Sequence, residues 1–77
     1  MTENLKTQTT EWETARATYR ELFHGDDDYA AETAEAAYRD ATDALSQAIR
    51  EALAQGTTAA EAARITGWTT REVARVR

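Results

Sequence analysis

The 77-residue sequence predicts an all-α protein: an N-terminal antiparallel helical hairpin followed by two shorter helices around a tight turn. Three observations predict it. Alanine supplies 17 residues and proline none, so the best helix former is abundant and the strongest helix breaker is absent. The glycines, Gly25, Gly56 and Gly67, each follow a stretch with helical periodicity, where a residue that accepts the left-handed conformation ends a helix cheaply. Asp or Thr stands within two residues after each glycine, ready to cap the next helix. Three stops imply four helices.

The first helix is expected from about Thr10 to His24. Thr10-Glu11-Trp12-Glu13 reads as a capping box, and a start nearer Thr2 is also open because Leu5 extends the apolar stripe. That stripe holds Leu5, Trp12, Ala15, Tyr19, Leu22 and Phe23, with Glu13, Arg16, Arg20 and Glu21 largely off it. Gly25 and Asp26, Asp27 and Asp28 form the first turn, the carboxylates opposing the positive end of the next helix. The second helix is expected from about Tyr29 to Gln55. Its stripe is Ala30, Ala34, Tyr38, Ala41, Leu45, Ala48, Ile49, Ala52 and Leu53. A short turn between two such helices favours an antiparallel pair, and the alanines let the axes approach closely. Thr58-Ala59-Ala60-Glu61 and Thr69-Thr70-Arg71-Glu72 are two further capping boxes, opening a third helix to Thr66 and a fourth to Arg77.

Composition excludes several classes. With no cysteine, there is neither a disulfide framework nor a thiolate metal site. The apolar runs are far shorter than the roughly 20 residues that span a bilayer. The N-terminus lacks the basic-then-apolar pattern of a signal peptide, so a cytoplasmic, soluble protein is expected. One His and one Ser nearly remove the usual nucleophile and base sets, so no enzyme activity and no cofactor are expected. His24 beside three aspartates is better read as a cap than as a metal site. Calcium loops spread their ligands over about twelve positions, and a transition metal would want more than one His here. Leu, Ile, Val and Phe together number nine, about 12 % of the chain, so the core will be thin and a partner chain is expected.

From Thr58 to Arg77 the offsets of small and apolar residues are specific. Ala62 and Ala63 are an apolar residue followed by one that must be small where the second helix crosses. Gly67 follows four positions on, then Trp68 and Thr69, and Val73 and Val76 are the inward positions of the last helix. This stretch resembles a helix-turn-helix DNA-binding motif of small bacterial-type regulators. The resemblance reaches residues 45–77 if Leu45 to Gln55 supplies the first helix of the usual three-helix unit, which overlaps a hairpin of residues 1–55. Two features depart from the pattern. Thr66 stands where leucine is common, with Ile65 one place earlier, and the recognition helix is short.

The resemblance implies sequence-specific binding of double-stranded DNA, with residues 69–77 in the major groove. Arg71, Ala74 and Arg75 then point away from Val73 and Val76. Arginine can pair with guanine O6 and N7, and Ala74 can meet a thymine methyl. Thr69 and Thr70 are expected to hold phosphate at the helix start, with Arg64, Arg77 and Thr58 on the flanks. Charge agrees. Residues 56–77 carry four Arg and two Glu, net +2, whereas residues 1–55 are net −7. An acidic monomer neutralises few phosphates, so a homodimer presenting two recognition helices is expected. No membrane partner and no small-molecule ligand are evident. A second reading stays open: a helical protein-protein interaction module, an adaptor or antirepressor, using the acidic hairpin. An acidic DNA mimic is a third, opposed by the clustered arginines.

Overall fold

The computed structural model describes residues 2–23 and 28–76, and for Phe23 the backbone alone. Among these residues there are four helices and no strand: α1 (Glu3–Phe23), α2 (Asp28–Ala54), α3 (Ala59–Thr66) and α4 (Thr70–Arg75). The predicted all-α class is what is observed. His24, Gly25, Asp26 and Asp27 lie outside the described residues, and with them the first turn and most of its expected caps.

Helix α1 begins at Glu3, which is the earlier of the two starts that the sequence leaves open and lies seven residues before Thr10. Its first turn is closed by the Lys6 amide donating to the Thr2 carbonyl at 3.0 Å. Thr10 is therefore inside the helix, where its hydroxyl donates to the Lys6 carbonyl one turn back at 3.1 Å. A Thr-x-x-Glu pattern cannot distinguish a cap from this mid-helix arrangement, because the hydroxyl finds a backbone partner in either. What decides is Leu5, which is 1 % exposed. Starting the helix early buries it beside Ala48 and Ala52 near the end of α2. The threonines that make the chain polar are reconciled with helix the same way. Thr9, Thr14, Thr33 and Thr42 each donate to the carbonyl four residues back.

Helices α1 and α2 run antiparallel. Leu5 meets Ala48 and Ala52, Trp12 meets Tyr38 and Thr42, and Thr18 and Leu22 share a surface with Ala30 and Ala34. As α1 ascends, its partners on α2 descend. Alanine at 34, 48 and 52 is buried, so the interface is shallow, and the large side chains that fill it are few: Leu5, Leu45 and Ile49. The indole N–H of Trp12 donates to Thr42 Oγ1 at 3.0 Å, fixing the register of the pair.

Helix α2 stops at Gly56, whose φ of +104° an L side chain rarely adopts. The Thr57 amide donates to the Ala52 carbonyl at 2.9 Å and the Gly56 amide to the Leu53 carbonyl at 3.1 Å. These are the two bonds of a Schellman stop, which satisfy carbonyls the helix leaves over. The chain then turns into α3, and α3 and α4 pack back onto the hairpin. Ala62 and Val73 join Leu5, Leu45, Ala48, Ile49 and Ala52 in one core. All four helices thus contribute to one apolar cluster. Among the described residues no helix is long and apolar enough to cross a membrane.

Because Leu5 is buried at the start of α1, Leu5→Ala is expected to cost about 2–4 kcal/mol in urea unfolding. If the segment before Thr10 lay outside the fold, the change would stay within about 0.5 kcal/mol.

Candidate nucleic-acid interface

Two caps and one turn fix the C-terminal pair of helices. Thr58 has extended backbone and its Oγ1 accepts from the Glu61 amide at 3.1 Å. The Glu61 carboxylate does not return to Thr58; it pairs with Arg64 at 2.6 Å, so this box is half made. The second box is complete. Thr69 Oγ1 accepts from the Glu72 amide at 3.1 Å, and Glu72 Oε1 accepts from the Thr69 amide at 3.0 Å. Hydrogen bonds to the carboxylate, from the Thr69 backbone amide first and the Thr69 hydroxyl second, hold the Glu72 carboxyl below its ordinary value, with Arg75 adding a smaller charge effect in the same direction. A helix of six residues is short by any measure, and the complete box is what defines its start.

The turn explains the departure at Thr66. Gly67 takes φ +78° and its amide donates to the Ala63 carbonyl at 2.9 Å. Thr66 is 2 % exposed, and its hydroxyl donates to the Ala62 carbonyl at 2.8 Å while accepting from the Trp68 amide at 3.1 Å. A leucine there would add apolar area but leave the Trp68 amide without that acceptor. Thr66 gives up burial and gains a closed turn.

With the turn closed, Val73 is fully buried and Val76 half-buried, as the apolar spacing predicts. Thr69, Thr70, Arg71, Ala74 and Arg75 are all exposed, and the last three project away from Val73 by helical geometry. Arg71 and Arg75 make no ion pair with any described residue, whereas Arg39 and Arg64 are each paired with a glutamate on their own helix. Arg64 is exposed as expected, but Glu61 already accepts from it. Thr58 and Thr69 spend their oxygens as caps; the Thr69 hydroxyl is also engaged with the Glu72 carboxylate, whereas that of Thr58 keeps a proton to donate. Arg77 lies outside the described residues.

Two contributors carry no signal in the sequence pattern, the Arg50 tie and the arginines that α1 brings to the turn. Arg50, on α2, donates through Nε to the Val76 carbonyl at 2.7 Å and so ties the end of α4 to the hairpin. Its partner is 26 residues away and is a backbone oxygen, which no side-chain pattern can announce. Trp68, the apolar residue after Gly67, packs against the core, edge-on to Trp12 with centroids 5.7 Å apart. Its indole N–H is buried without a hydrogen-bond partner. Finally, α1 brings Arg16 and Arg20 to the turn. Together with Trp12, Tyr19, Tyr38, Gly67, Trp68 and Glu72 they line an open hollow of about 440 Å³. Tyr19 and Tyr38 stack at 5.6 Å, and the Arg16 guanidinium sits 5.4 Å from the Trp12 ring centroid.

Comparison of the chain with protein-family models, with curated proteins and with solved structures finds no match.

The two tryptophans offer a matched pair of tests. Trp12→Phe removes a made hydrogen bond, whereas Trp68→Phe removes a buried N–H that has none. The loss of ring volume is similar, so Trp12→Phe is expected to destabilise by about 1–3 kcal/mol more than Trp68→Phe in urea. Acid gives a second test. A carboxyl with a lowered folded-state value stabilises above its unfolded value, and that contribution is lost as pH falls through the folded one. Hydrogen exchange at the Glu72 and Val73 amides should therefore accelerate, relative to α2, as pH drops below the ordinary glutamate range. In Glu72→Gln that relative acceleration should be absent.

Proposed function

We propose that α3 and α4 act as a helix-turn-helix that binds double-stranded DNA in a sequence-specific way, in the manner of a small transcriptional regulator. The observation that carries the reading is the exposed face of α4. Arg71, Ala74 and Arg75 stand outward on a helix anchored by buried Val73, capped at Thr69 and tied at its end by Arg50. Two arginines held on a capped and anchored helix, without an ion pair among the described residues, suit bidentate contact with guanine in the major groove. Thr69, Thr70, Thr58 and Arg64 then contact the backbone, and Ala74 meets a thymine methyl. The family-like spacing of Ala63, Gly67, Trp68, Val73 and Val76 supports the same reading.

The active species in this proposal is a homodimer in the cytoplasm, because a chain of net charge −5 attracts a duplex weakly by itself. One specific observation favours the second reading, a protein-protein interaction module. At the far end of the hairpin, Thr18, Leu22, Ala30, Thr33, Ala34 and Ala37 form an apolar depression beside Tyr29, which is 79 % exposed. Such a face suits a protein partner and says nothing of which one.

The decisive experiment selects bound duplexes from a random pool, then titrates the preferred one with wild type, Arg71→Ala and Arg75→Ala. Each substitution is expected to weaken binding by about 5- to 150-fold and to relax preference at one base pair. Absence of duplex binding, with partner capture retained after removal of residues 57–77, would transfer the function to the hairpin.

A further inference from the structure

The hollow beside the turn is not accounted for by α4 as a reader of bases. We propose that Arg16 and Arg20 of α1 form a phosphate-binding site for the DNA backbone that runs along the Glu72 flank of α4. The proposal rests on the duplex-binding reading above and extends it to a helix that carries none of the helix-turn-helix pattern.

The argument is geometric first. A helix lying in a major groove about 12 Å wide has a phosphate strand on each side. On α4, Glu72 lies between the outward Arg75 and the inward Val76 by helical rotation, so it marks one of those sides. Glu72 also lines the hollow, as do Gly67 and Trp68 from the turn and Arg16 and Arg20 from α1. A strand passing that side of α4 therefore meets α1, and the positive charge it meets there is Arg16 and Arg20.

Chemistry agrees with the geometry. Neither arginine makes an ion pair with a described residue, although Glu13 lies beside them on α1 and Glu72 across the hollow. The Glu72 carboxylate accepts from the Thr69 amide instead, and Arg75 acts on it electrostatically. Arg16 is held over the face of Trp12, which orients a guanidinium without consuming its N–H donors. The aromatic walls, Trp12 against Trp68 and Tyr19 against Tyr38, are fixed by ring contacts and keep the hollow open. The site also eases the charge problem of an acidic chain. It adds two cations from the hairpin to the two on α4, at the edge of the recognition helix and not elsewhere on the −7 segment.

The test is the salt dependence of binding to the selected duplex, compared for wild type, Arg16→Gln/Arg20→Gln and Arg16→Lys/Arg20→Lys. Loss of two phosphate contacts should lower the slope of log affinity against log salt by about 1–2, equally for preferred and unrelated duplexes. The lysine variant, which keeps the charge, should retain most of the slope. Circular dichroism of each variant verifies the fold, and emission of Trp12 and Trp68, the two tryptophans of the chain, reports occupancy of the hollow. Duplex should change that emission in wild type and not in the glutamine variant. A wild-type slope in the glutamine variant would overturn the site while leaving duplex binding intact. So would relaxed base preference at constant slope. An equal emission response to inorganic phosphate alone would make this a small-anion site and overturn the assignment to the backbone. If wild type binds no duplex, both proposals fall together.

Discussion

The close approach of α1 and α2 along an alanine-lined seam is the constraint on which the rest of the molecule depends. Alanine adds almost no volume to an interface, so the few large side chains present must fill it, and each sits where two or more helices meet. Leu5, Leu45, Ile49 and Val73 are essentially buried, and they come from α1, α2 and α4. Ala62 brings α3 to the same cluster. The short helices have no separate core to fall back on. Val73 can be buried only because the hairpin is formed, and α4, at six residues, would not persist alone.

The polar groups near this seam do the specifying. Trp12 bonds Thr42, Thr66 closes the turn, and Thr69 and Glu72 cap α4 reciprocally. Each is worth little by itself, on the order of 1 kcal/mol. Together they fix the register of the hairpin, the turn that leads into α4 and the start of α4 itself. The buried indole N–H of Trp68 runs against this pattern, the one such side-chain group among the described residues. It marks the turn as the least economical part of the fold.

Local signals were legible in the residues and distant ones were not. Gly56 and Gly67 announced their stops because only glycine takes a positive φ cheaply, and Thr58 and Thr69 announced caps because the next amides need an acceptor. Val73 and Val76 followed from helical period. The start of α1 was legible only as a choice of two, since Thr10 serves either inside a helix or at its end; Leu5 on the stripe left the earlier start open, and its packing against α2 decides for it. Thr66 looked like a weakened core position because its hydroxyl partner is a backbone amide two residues on. Arg16 and Arg20 read only as residues largely off the apolar stripe of α1, and their place beside the turn depends on how the hairpin folds across α3. Of the candidate interface, the face of α4 was foreseen and its surroundings were not.

The bond from Arg50 to the Val76 carbonyl constrains its two ends unequally. Its acceptor belongs to the main chain, so drift at residue 76 is invisible to it and answers only to packing. Its donor has no substitute of the same reach and planarity, so the tie needs arginine at residue 50, on the solvent side of α2. Substitutions on the outward face of α4 would therefore leave this tie intact, whereas loss of the Arg50 guanidinium would release the end of the helix.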